Sequence, residues 1–260
     1  MASHRSRKRL CWLLWAPLAF MAALPVGAME GLAGRQAATV SGGQKLAQNP
    51  PNQEQAIPPD VQGWFDDAKA AAARGDAAEA MQLQRRVVAW LAAHPRAPVV
   101  FRARALLNLG TFLSGVGQKQ EALASTQEAV KLLKPLAASQ EDSQKFLAMA
   151  LTNLGISLSE VGRRPEALAS TEEALKIFRE LAQSNPAYRP DVATALNNLG
   201  VMLSEVGRRA EALAPTEEAL KIYRELAKTN PAFLPDLAIA LNNLGISLSE
   251  LGRRQEALAP

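Results

Sequence analysis

Asparagines recur in this chain at a fixed step. Asn108, Asn153, Asn198 and Asn243 stand 45 residues apart, and Thr152, Asn197 and Asn242 form a second row one position earlier. A primary amide carries two donor hydrogens and an acceptor oxygen. A ladder of such groups on one face can grip the backbone of an extended peptide. The same rows are also what solvated asparagines, or asparagines bonding between neighbouring helices, would give. Two carboxylate pairs, Glu172-Glu173 and Glu217-Glu218, invite an acid–base reading. They occupy consecutive positions, which on a helix do not face each other. No glycine-rich phosphate loop follows a strand pattern, and no serine stands in a nucleophile context. Catalysis within the chain is not expected.

Composition narrows the chemistry further. The only cysteine is Cys11, and the two histidines are His4 and His94. A metal site built on several Cys or His ligands is therefore excluded, and no cofactor is expected. The formal charge of +4 is concentrated in residues 1–28, which hold Arg5, Arg7, Lys8 and Arg9 and no acid. Beyond that segment the basic count falls from 29 to 25, equal to the 25 acidic residues. The remainder is neutral, so the basic pI does not mark a nucleic-acid surface.

The elements that must position these groups follow from the same period. LLNLG, LTNLG, LNNLG and LNNLG begin at Leu106, Leu151, Leu196 and Leu241, and Gly117, Gly162, Gly207 and Gly252 repeat at the same 45-residue step. Such self-similarity signals stacked modules. Within one unit, Leu196, Leu199, Leu203 and Val206 form an apolar stripe at helical spacing, and Gly207 ends that helix. A second helix follows through Leu213, Leu220, Tyr223 and Ala227, stopped at Asn230-Pro231 because proline disfavours helical geometry before it. Gly110, Gly155, Gly200 and Gly245 sit inside the first helices. Glycine there costs up to about 1 kcal/mol against alanine, so its recurrence predicts a neighbouring helix passing too close for a side chain. Ala212 and Ala219 serve the same close packing on the second helix. Pro135 should end or bend its helix, and Pro215 should kink its own.

The N-terminus has a different organisation. A basic head, the apolar run LCWLLWAPLAFMAALPVGA and the small residues Val26-Gly27-Ala28 describe residues 1–28 as a secretory signal. The run is also about as long as the roughly 20 residues needed to span a bilayer, so an uncleaved membrane anchor remains open. Either way the chain beyond it is expected outside the cytoplasm, secreted, periplasmic or tethered, with the membrane touched only through this segment. Residues 29–59, rich in Gln, Gly, Ala and Pro, read as a flexible linker. Residues 60–98 mimic the repeat weakly, through Trp64, Ala68, Gly75 and Glu79-Ala80, and read as a degenerate capping unit. Full units then span 99–143, 144–188 and 189–233, and 234–260 is a truncated one. Ending at Pro260, partway through a second helix, the sequence reads as a fragment.

Leu199-Gly200, Gly207, Ala212 and Ala219 carry a resemblance to the tetratricopeptide repeat. The LNNLG text and the long unit are most similar to the kinesin-light-chain subtype. The resemblance covers about residues 60–260. It implies an all-α fold, an α-solenoid in which helix-turn-helix repeats wind into a right-handed superhelix. It also implies that the face of the first helices turned away from the second helices lines a concave groove for a protein or an extended peptide. With the Leu196–Leu199–Leu203 stripe at 0° and about 100° per residue, Asn197 falls near 110°, Val201 near 150°, Glu205 near 190° and Asn198 near 210°. The expected groove residues are thus Asn108, Asn153, Asn197, Asn198, Val201, Glu205, Asn242 and Asn243. Where a related subgroup clamps carboxylates with Lys and Arg, this chain has Leu107, Thr152, Asn197 and Asn242, so that ligand is not expected. Thr126, Thr171 and Thr216 replace an aromatic residue common in the family. Arg163-Arg164, Arg208-Arg209 and Arg253-Arg254 either form a basic ridge or pair with nearby acids. Two other readings stay open. A catalytic or signalling domain beyond Pro260 would make the repeats a presenting region, and an uncapped last repeat would permit self-association.

Overall fold

The computed structural model describes residues 54–138 and 141–257. Over that span the chain is a row of helix pairs: α1 Pro59–Ala73 with α2 Ala77–Ala93, α3 Val99–Gly115 with α4 Lys119–Leu133, α5 Glu141–Glu160 with α6 Arg164–Ser184, α7 Arg189–Glu205 with α8 Arg209–Thr229, and α9 Leu234–Glu250 with the single turn α10 Arg254–Ala257. No strand occurs among the described residues. The fold is an all-α solenoid of helix-turn-helix repeats. Residues 1–28, most of the expected linker and residues 258–260 lie outside the described residues. The last linker residues are not free of the fold: the Gln55 N–H donates to the Arg96 carbonyl at 2.9 Å, and Ile57 packs on the Phe65–Leu91 cluster.

Each pair is made by one turn. Gly207 adopts φ +86°, a left-handed conformation that only glycine enters at little cost. Its N–H bonds to the Ser204 carbonyl and that of Arg208 to Leu203, each at 2.9 Å, which satisfies two carbonyls at the end of α7. Between pairs the device is an asparagine. Asn230 leaves α8 in an extended conformation and its side chain accepts from the Ala232 N–H, starting the short 3-10 turn Pro231–Phe233 that enters α9. Asn185 does the same before α7. Pro135 ends α4, whose last residue is Leu133. Helix α8 runs on through Pro215 for 21 residues, the same length as α6. In α6 that position is Ser170, whose hydroxyl bonds the Glu166 carbonyl. Its counterpart Glu211 is exposed, so water can serve the carbonyl that proline cannot.

The core is shared between pairs. One apolar cluster joins Leu107, Leu133, Leu147, Leu151 and Ala174, drawn from α3 to α6. A second joins Leu175, Phe178, Leu196 and Ala219, from α6 to α8. Neither closes within a single pair, so each module is completed by its neighbours. Inside a pair the helices meet through glycine and threonine. A Cβ on Gly155 would lie 2.5 Å from Thr171 Oγ1 and 3.2 Å from the Ala167 carbonyl oxygen. Thr171 is buried and donates to that same carbonyl at 2.9 Å. This explains why a threonine stands where an aromatic ring is usual: the glycine draws the helices too close for a ring. Helix α9 with its preceding turn, Pro231–Glu250, is long and apolar enough to cross a membrane by length and composition. It packs instead on α8 through Ala240, Leu244 and Leu248.

Candidate functional site

The first helices of successive pairs stand side by side. Ser114 Oγ donates to Glu160 Oε2 at 2.6 Å. One module on, Ser159 donates to Glu205, and one further Ser204 donates to Glu250. These bonds form a seam along α3, α5, α7 and α9. Beside it, at the same turn of the wheel in each helix, lie Thr111, Ile156, Val201 and Ile246, all half-buried. Met149, Thr194 and Ile239 stand on the same side two turns earlier, also half-buried, and α3 carries Arg104 at that position. Ile156, Val201 and Ile246 thus form an apolar row beside the serine–carboxylate seam, with Thr111 at its α3 end.

The expected asparagine ladder lies elsewhere. Asn108, Asn197 and Asn198 are 4%, 8% and 7% exposed, so they do not line an open groove. Asn153 Nδ2 donates to Thr111 Oγ1 at 3.4 Å and Asn243 Nδ2 to Asn197 Oδ1 at 3.0 Å. Asn153 and Asn243 therefore bond between adjacent first helices. The reason is their direction: near 210° on the wheel, a side chain is turned toward the preceding first helix. Asn198 Nδ2 and Asn108 Nδ2 are buried without a hydrogen-bond partner. Of the expected groove residues, Asn242 is exposed and Val201 is half-buried on the apolar strip. Glu205 belongs to the serine–carboxylate seam. Sequence reasoning named Val201 but missed its equivalents Thr111, Ile156 and Ile246, although the 45-residue step gives each directly from it.

The first arginine of each pair is committed to an acid on its own helix. Arg163 forks onto Glu166 with Nε–Oε1 2.7 Å, and Arg208–Glu211 and Arg253–Glu256 repeat the fork. The guanidinium holds each of these carboxyls below its usual range. Being fully exposed, the pairs fix side-chain direction and add little stability. Arg209 Nε approaches Glu250 Oε2 at 3.5 Å. No group of three or more His, Cys, Asp or Glu side chains placed to hold a metal ion occurs among the described residues.

One titratable group is strongly perturbed. Burial at the start of α7 raises the Asp191 carboxyl to about 6, against the pull of Lys145. Nearby, Thr194 Oγ1 and the Tyr223 hydroxyl are 2.7 Å apart, and burial raises the tyrosine as well. Because the folded Asp191 prefers its proton, its contribution to stability is complete below its unfolded value near 3.8. It fades as pH rises and is gone above about 6. Asp191→Asn should therefore gain about 1–3 kcal/mol over wild type at pH 7.5 and little at pH 4. Urea unfolding at the two pH values checks this, and an equal difference at both would refute it.

Residues 146–225 and 237–260 match family models of the tetratricopeptide repeat, and residues 75–135 match the model of anaphase-promoting complex subunit 5. No curated protein matches the chain. Among solved structures it is similar to a putative kinesin light chain from Podosopora anserina with nearly identical TPR-like repeats, at 21% identity over 76% of this chain and 90% of that one, with a TM-score of 0.58. It is similar to BtubC (BKLC) from P. vanneervenii at 23% identity, covering 76% of each chain, with a TM-score of 0.61. It is also similar to a Rap protein complexed with Competence and Sporulation Factor, at 14% identity over 76% of this chain and 51% of that one, with a TM-score of 0.62. These likenesses are of fold. Together with the 45-residue helix pairs, the left-handed glycine turns and the glycine–threonine contacts, the family models mark residues 146–225 and 237–260 as tetratricopeptide repeats within a solenoid whose fold is shared with kinesin-light-chain-like repeat proteins.

Proposed function

We propose that this chain is a non-catalytic scaffold that holds a protein or an extended peptide along the inner face of α3, α5, α7 and α9. The observation that carries the reading is the unbroken row Thr111, Ile156, Val201 and Ile246, half-buried and bordered by carboxylates. A strip of that kind buries apolar side chains of a partner while the border fixes register. The Rap protein that shares the fold was solved with Competence and Sporulation Factor bound, which supports a peptide-sized occupant here. The basic head and apolar run of residues 1–28 support work outside the cytoplasm, by export or by anchoring. Mass measurement of the purified mature chain distinguishes cleavage after Ala28 from an intact anchor.

The test is a peptide selection. Binders are selected from a random display library on the full chain and re-measured on Ile156→Asp/Val201→Asp. Both positions are half-buried, so helicity by circular dichroism accompanies the affinity. The selected peptides should lose tenfold or more, at least about 1.4 kcal/mol, with helicity kept. Undiminished binding would move the partner to another face.

A further inference from the structure

The inner face carries two rows that advance together, and their step is set by helix packing. Each serine–glutamate bond joins residues 46 apart, one on each of two adjacent first helices. Packed helices lie about 8–10 Å apart. Equivalent groups, Ile156 to Val201 to Ile246 or Glu160 to Glu205 to Glu250, therefore recur at about that interval. A partner must match this step to present the same side chain to each module. In a β-strand, side chains of one face recur every two residues, about 6.7 Å, and fall out of step after one module. A polyproline II strand has three residues per turn and rises about 3.1 Å per residue, so its equivalent side chains recur at about 9.3 Å.

Charge selects the side chain. Among the described residues, Glu160 and Glu205 receive only a serine hydroxyl each, on Oε2, and form no salt bridge. The arginines nearest in sequence, Arg163 and Arg208, are committed to Glu166 and Glu211. One oxygen of each border carboxylate is left for a partner.

We infer that the inner face takes a cationic, proline-rich strand in the polyproline II conformation, with lysine or arginine at every third residue. The basic residues meet Glu160 and Glu205 in succession, and the intervening prolines lie on Ile156 and Val201. This inference rests on the scaffold reading and narrows it to one class of partner.

The probes are a labelled (Pro-Pro-Lys)5 peptide, a peptide of the same composition with its lysines in one block, and (Pro-Pro-Glu)5, measured by fluorescence anisotropy against the full chain. The periodic lysine peptide should bind at least tenfold tighter than either control. Glu160→Gln/Glu205→Gln should weaken it at least fivefold, with the melting temperature unchanged, since glutamine can still accept from serine. Equal binding of the periodic and blocked peptides would overturn the inference, and so would indifference to the glutamine pair or no binding at all. If library-selected peptides of other composition still depend on Ile156 and Val201, the scaffold reading survives while this narrowing of it falls.

Discussion

Leu151→Ala should destabilise the array by about 2–5 kcal/mol, the range for truncating a fully buried leucine. Leu151 is 1% exposed and sits in the cluster shared by α3, α4, α5 and α6, against Leu107, Leu133 and Leu147. The loss is at a junction, so it should appear in an uneven way. In a stack held by nearest neighbours, weakening one interface uncouples the modules on its two sides. Urea unfolding of the variant is expected to broaden or split, with α1–α4 and α5–α10 losing structure at different denaturant concentrations. Hydrogen exchange resolved along the chain would show which side opens first. A single sharp transition displaced by less than about 1 kcal/mol would mean that the cluster does not couple the pairs.

The second large effect is at Gly155. On an exposed helix, replacing glycine by alanine stabilises by up to about 1 kcal/mol. Here the sign reverses. The new methyl would stand 2.5 Å from Thr171 Oγ1 and 3.2 Å from the Ala167 carbonyl oxygen. The first is a β-branched side chain with few rotamers and the second is backbone. Neither can give way without moving α5 from α6, and overpacking of this kind costs about 1–3 kcal/mol. Gly63 in α1 is the control, because a Cβ there meets nothing within 4 Å. Gly63→Ala should stabilise by about 0.5–1 kcal/mol while Gly155→Ala destabilises. Adding Thr171→Ala to Gly155→Ala should recover part of the loss, since the shorter of the two contacts is removed. Thermal melts of the four proteins decide the matter, and a gain at Gly155 would disprove the close-approach account.

The fold was legible because it is written several times. Gly117, Gly162 and Gly207 at one step mark turns whose geometry admits little else, and all three adopt positive φ. Gly110 and Gly155 announced a tight helix approach, and their clashes with Thr126 and Thr171 bear it out. Pro215 does not end its helix, and Glu211, whose carbonyl loses its N–H partner there, is an exposed residue. The candidate site was less legible. A helical wheel turns Val201 and Glu205 away from the second helices, but it cannot tell which edge of that face is covered by the next module. Asn198 and Asn243 share a position, yet one lacks a partner and the other bonds Asn197. The difference comes from their neighbours across the junction, a contact between residues 46 apart that no single-helix projection contains.

The serine–glutamate seam has one more consequence. Every junction from α3 onward is closed by the same two residue types at the same separation. Excising residues 160–204 would set Glu205 in the place of Glu160, opposite Ser114, and duplicating them would add one more identical rung. A gene encoding such a chain can gain or lose whole units by unequal recombination without inventing a new interface. The reach of the molecule is then a heritable count, adjustable in integer steps while the chemistry of each step stays fixed.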